Sequence, residues 1–163
     1  MILYHGTNVE FDTIDLAKSK PNKDFGQGFY LTADYEQALA MARIKMEQLE
    51  FGEPLVLTYE VDEELMKSLK TLYFNEYSED WAKFILLNRR NTASGPAHNY
   101  DIVYGPIADD RVGVQLWKYE NQSIDLQTLV NNLKYIKGMT FQYFFGTKEA
   151  IRLLHQIGRA SCR

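Results

Sequence analysis

Short apolar and aromatic runs open the chain, and stretches with helical spacing follow them. Residues 2–5 (ILYH) and 28–32 (GFYLT) are rich in the aromatic and β-favouring types that suit a pleated, half-buried surface, so both predict strands. Asp34 then stands where a helix N-cap belongs, with Gln37 three residues on at capping-box spacing. Tyr35, Ala38, Leu39, Ala42 and Met46 fall on one face of the helix so begun. The run PLVLTYEV, residues 54–61, reads as a buried strand, followed by a short amphipathic helix through Leu65 and Leu69. Between Glu79 and Arg90, the positions Trp81, Phe84, Ile85 and Asn88 share a helical face, which puts the Asn88 amide among aromatics. Residues 95–99 form a loop. DIVY at 101–104 is a strand that Gly105-Pro106 breaks, and the acidic pair Asp109-Asp110 follows. Residues 124–136 have helical spacing, 140–145 read as a strand, and Thr147 caps a last helix carrying Ile151, Leu153 and Leu154. Strands and helices interleave irregularly, which predicts an α+β domain in place of a regular doubly wound sheet.

Composition narrows this picture without redirecting it. The chain has 163 residues, 45% of them hydrophobic and 13% aromatic, enough to build a core for one domain. No internal repeat, low-complexity tract or proline-rich linker divides it. A net charge of -4 argues against the broad positive field that non-specific nucleic-acid binding uses, and leaves room only for a local basic groove around Arg89 and Arg90. The opening MILYHG is too short and polar for a signal peptide and no long apolar run follows, so the expectation is a cytoplasmic protein with no membrane partner. The last seven residues, 157–163, lack periodicity and read either as foreign sequence resembling a translated library adapter or as a frayed native end, which sets the domain at 1–156. Cys162 lies in that tail and receives no role. One cysteine supports neither a disulfide nor a zinc framework.

Two familiar nucleotide motifs fail. Gly26-Gln27-Gly28 is a lone G-x-G whose third glycine would fall at Leu31, and its order is loop then strand where the dinucleotide fingerprint needs strand then helix. No phosphate-binding P-loop exists. His5, His98 and His155 show no metal-ligand spacing with acidic neighbours, so no metal is expected.

What survives is the pair of segments LYHGT, residues 3–7, and GFYLTADYEQA, residues 28–38. Together they resemble the NAD-binding half of the diphtheria-toxin and poly(ADP-ribose)-polymerase class of ADP-ribosyltransferases. In that class a strand ends in a histidine-glycine pair, and a later glycine-aromatic-tyrosine strand runs into a helix. DFGQGFYLT, WAKFILLNR and YDIVYGPIADD look more closely still like an uncharacterised bacterial domain family of this fold, often found beside a small antitoxin-like gene. The resemblance covers most of residues 3–156. It implies a split-sheet ADP-ribosyltransferase-like core with flanking helices, and NAD as substrate bound around His5, Gly6, Thr7, Gly28, Phe29, Tyr30 and Arg89. His5 would hold a ribose hydroxyl, and Gly6 would offer its backbone to the nicotinamide carboxamide. Tyr30 would give the ring a flat face while Phe29 turns to the core. The same two-faced pattern is also what any half-buried strand shows.

Two departures from the class pattern bear on chemistry. The second aromatic that completes the nicotinamide sandwich falls at Met41, with Tyr35 as a substitute or a core residue. The late-strand glutamate is matched by Gln142 in TFQYFFGT, which can accept a hydrogen bond but brings no negative charge. Asp110, with Asp109 and Asp101, is the candidate acidic replacement or else part of a solvated turn. Arg89, beside Asn88, either forks onto a phosphate or serves the helix C-terminus, and Asp24 orients the glycine loop or caps its turn. The catalytic set is thus His5, Gln142 and Asp110. The implied activity is transfer of ADP-ribose to an intracellular protein or nucleic acid, as the toxin of a toxin-antitoxin or phage-defence pair. The competing readings are a non-catalytic nucleotide- or partner-binding descendant, and an RNA-cleaving toxin using His5 or His98.

Overall fold

Strand alternation divides the apolar residues between two cores. In a computed structural model that describes residues 1–161, β1 (Ile2–Thr7), β3 (Leu55–Glu60) and β7 (His155–Ser161) form one sheet in the order β1-β3-β7. The second sheet has the order β2-β6-β5-β4, from β2 (Phe29–Leu31), β6 (Phe141–Phe145), β5 (Ile102–Pro106) and β4 (Thr71–Tyr73). Inner residues of both sheets, among them Leu3, Leu57, Phe29, Leu31, Ile102 and Phe145, make the core between them. The outer face of the second sheet carries a separate core, where Phe144 and Val103 meet α3 (Glu79–Arg89), α4 (Asp110–Glu120) and α5 (Leu126–Leu133). The fold is mixed α+β, as the irregular interleaving predicts.

Helix α1 (Tyr35–Leu49) lies on the first sheet because β1 lets it approach closely. Ala38 and Ala42 are buried on its inner face, and a Cβ at Gly6 would stand 2.8 Å from the Ala42 amide nitrogen and closer still to the Ala38 carbonyl oxygen. Asp34 caps α1 by accepting from the Glu36 and Gln37 amides. The Gln37 side chain does not close a capping box; its Oε1 accepts from Thr32 instead.

Several expected boundaries move, each for a local reason. β5 runs through Gly105 and Pro106, pairing with Gln142 and Phe141 of β6; β4 reaches only to Tyr104, so the missing amide of Pro106 breaks no ladder there. The last helix, α6 (Lys148–Ile151), keeps its Thr147 cap but ends before Leu153 and Leu154. The chain then enters β7, so residues 157–161 are not frayed: residues 158–161 pair along β3 from Leu55 to Thr58, and Ile157 sits at a register shift. Cys162 lies outside the described residues. Helix α2 (Glu63–Lys67) is the expected short one, whereas α4 and β4 were not foreseen. Among the described residues no helix is long and apolar enough to cross a membrane.

Candidate functional site

Among the described residues, the two sheets meet at a single bridge. Tyr4 and Thr32 exchange backbone hydrogen bonds of 2.8 and 2.9 Å. Continued two residues further, that antiparallel register would set Gly6 opposite Tyr30 and close the next pair. Side chains take the places instead. His5 Nδ1 donates to the Tyr30 carbonyl at 2.6 Å, and Lys45 Nζ of α1 donates to the Gly6 carbonyl at 2.8 Å. Among the described residues, neither the Gly6 nor the Tyr30 amide finds a partner across this gap. The result is a break in the ladder with two backbone donors facing it.

The state of His5 follows from its acceptor. A carbonyl can only accept, so Nδ1 carries the ring proton and Nε2 presents a lone pair. Burial, then the charge of Lys45, push the imidazole pKa down to about 3, against the smaller opposing effect of the Tyr30 carbonyl; Lys23 adds to the depression. The ring is therefore neutral at physiological pH. This carries a stability consequence, because the unfolded imidazole protonates near its ordinary value and the folded one only near pH 3. As pH falls below about 6.5, His5 should cost the fold about 1.4 kcal/mol per pH unit until about pH 3. Urea unfolding of wild type and His5→Gln across pH 7 to 4 should show the steeper loss in wild type. Equal slopes would mean that the ring is not held neutral.

The expected meeting of imidazole and phenol does not occur. His5 stacks on Phe29, centroids 4.1 Å apart, with Phe11 at its edge. Phe29 and Tyr30 alternate, so the Tyr30 ring lies on the other face of β2, against Phe25 and Phe144. Its hydroxyl donates to the Gly26 carbonyl and accepts from the Phe25 amide, bracing the glycine loop, and burial raises its pKa. Tyr30 reaches His5 only through its backbone. Gln142 joins Tyr30: β2 pairs Tyr30 with Phe144, and Gln142 two residues before Phe144 shares that outer face, half-buried. Among the described residues, no hydrogen bond engages its side-chain amide.

The other expected site residues have structural work. The Thr7 hydroxyl is spent on a local turn with Val9, and Gly28 is small because Phe144 packs where its Cβ would be. Gly26 does turn the chain, at φ 104. Gly6 owes its missing side chain to α1, although its backbone faces the gap. Arg89 is tied to the glycine loop: its Nε donates to Asp24 at 2.7 Å, linking that loop to α3. Asn22 adds to this strap by donating to the Arg89 and Asn91 carbonyls. Asn88 is buried as expected, its Nδ2 on the Phe84 carbonyl, and its Oδ1 has no donor among the described residues. Asp101 holds Thr147 and the Lys70 amide, Asp109 caps α4 and pairs with Arg111, and Asp110 is exposed in the first turn of α4. Met41 is exposed, one helical turn before Lys45 on α1.

Sequence reasoning missed the two lysines that flank the gap. Burial pushes Lys45 down to about 8, with the charge of Lys23 adding to the effect. Lys23 sits with its Nζ 5.0 Å from the centre of the Tyr30 ring, and burial and Lys20 lower its pKa against a partial offset from Asp24. Lys45 was visible in the spacing: it follows Ala38 and Ala42 at i+7 and i+3, placing a cation on the face that α1 buries.

The family described as protein of unknown function (DUF3990) matches residues 1–156. No curated protein matches the chain.

Proposed function

The chain belongs to the DUF3990 family, and from the broken ladder between β1 and β2 we propose that it binds NAD there and transfers ADP-ribose to a macromolecular acceptor. The observation that carries the reading is the unclosed Gly6–Tyr30 pair. A carboxamide needs a donor and an acceptor side by side, and the Gly6 amide and carbonyl both face the gap on the strand that also supplies His5. The neutral ring keeps Nε2 as an acceptor, suited to a ribose hydroxyl. Gln142, on the Tyr30 face, offers a second hydroxyl acceptor. In the reaction the bond from the ribose anomeric carbon to the nicotinamide nitrogen breaks, its electron pair leaving with nicotinamide. An acceptor lone pair then forms the new bond to that carbon, and the acceptor's proton is released to solvent.

The RNA-cleaving alternative asks for a protonated and a neutral imidazole acting together. His98 donates from Nε2 to the Phe25 carbonyl and accepts the Tyr100 amide at Nδ1, so both nitrogens are engaged. His5 at about 3 is no proton donor at neutral pH. The test of the NAD reading is calorimetry with intact NAD, followed by incubation with labelled NAD and lysate. Wild type should bind and label an acceptor. His5→Ala, checked by circular dichroism for folding, should lose labelling by a factor of about 10² or more. Absence of NAD heat in folded wild type would end the proposal.

A further inference from the structure

Partly buried cations held without an ion pair are costly, and the gap is flanked by two of them. Neither Lys23 nor Lys45 forms an ion pair among the described residues, in a protein whose net charge is -4. Burial depresses both lysines, the charge of Lys23 lowers Lys45 further, and both lower His5. They arrive from different elements: Lys45 from α1 at the Gly6 edge, Lys23 from the glycine loop over the Tyr30 ring. The loop that presents Lys23 is strapped on both sides, by Asn22 to the Arg89 and Asn91 carbonyls before it and by Asp24 to Arg89 after it.

We infer that Lys23 and Lys45 form the diphosphate subsite of the nucleotide, the part first sought at Arg89. The inference rests on the NAD reading and deepens it. Lys45 now caps the one carbonyl that a carboxamide needs, so the two requirements are linked. When a dinucleotide enters, the ammonium leaves the Gly6 oxygen for the diphosphate, and the freed oxygen takes the carboxamide N–H. A lysine is suited to this exchange because its flexible stem carries a point charge with three donors, which an arginine fork does not match.

The experiment is calorimetry on the full chain with three probes: NAD, inorganic pyrophosphate, and nicotinamide riboside, which lacks phosphate. The variants are Lys45→Met and Lys23→Met, with Lys67→Met as a charge-matched reference at an exposed pair with Glu64. Thermal melting establishes that each is folded, and both site variants are expected to melt no lower than wild type because they remove a desolvated charge. Each should weaken NAD and pyrophosphate at least tenfold, while Lys67→Met changes neither. Lys45→Met should bind the riboside at least as tightly as wild type, since the Gly6 oxygen is free. Wild-type NAD binding that neither lysine variant weakens overturns the inference and leaves the NAD reading standing. Equal weakening of NAD and riboside also overturns it. Lysine-dependent pyrophosphate binding without any NAD binding overturns the dinucleotide assignment and keeps an anion site. Binding of neither probe by wild type overturns both.

Discussion

Gly6→Ala is expected to destabilise the protein by about 3 kcal/mol or more, an overpacking cost at the upper end of its usual range. The added methyl would collide with the Ala38 carbonyl oxygen and lie 2.8 Å from the Ala42 nitrogen, both of them backbone atoms of α1. No rotamer change relieves such a contact, so the helix must lift from β1. That shift would open the contact between Lys45 and the Gly6 carbonyl and uncover the buried alanines. Against a total stability of about 5–15 kcal/mol for an ordinary domain, the loss is a large fraction. A fall in melting temperature on the order of 10 °C is the expected reading. Gly113→Ala, where the new methyl meets nothing within 4 Å, is the reference. If both variants melt alike, α1 is not held against β1 as described.

The same glycine shows what was legible in the sequence and what was not. Its place after His5, at the end of a first strand, could be read from LYHGT, and so could the strand at Phe29 and the Asp34 cap of α1. Those signals are local: alternation, a capping oxygen, a 3.6 period. The reason for the glycine was not legible, because it depends on which face of β1 a helix thirty residues later covers. The Phe29–Tyr30 pair has the same character. Alternation gave two faces, but each face of β2 meets an apolar core, and only the packing decides that His5 joins Phe29. Arg89 and Asp24 look like free charges in one dimension and are partners across 65 positions in three. Residues 155–161 carry no apolar alternation that predicts a strand, and pair because β3 offers an open edge beside them.

On the proposed reading, Gln142→Glu should raise the rate of NAD cleavage by about 10²-fold, the size of effect that one well-placed electrostatic group has on a charged transition state. The change is nearly isosteric and falls at a half-buried site whose side-chain amide takes part in no hydrogen bond among the described residues, so the new carboxylate displaces no such bond. It would stand on the outer face with Tyr30, across one strand pair from the ladder gap. As nicotinamide leaves, positive charge builds on the anomeric carbon. A glutamine can only orient a hydroxyl there, whereas a carboxylate also lowers the energy of that charge. Partial burial raises the new group's pKa, so the gain should grow as pH rises through it and level off above. Asp110→Asn decides where negative charge originates in wild type. Asp110 lies exposed in the first turn of α4, the helix that follows β5 and packs on the outer face of the second sheet. Residual wild-type cleavage that survives Asp110→Asn and rises with Gln142→Glu assigns the role to β6. Cleavage abolished by Asp110→Asn and indifferent to Gln142→Glu would move the charge to α4 and overturn the assignment to β6.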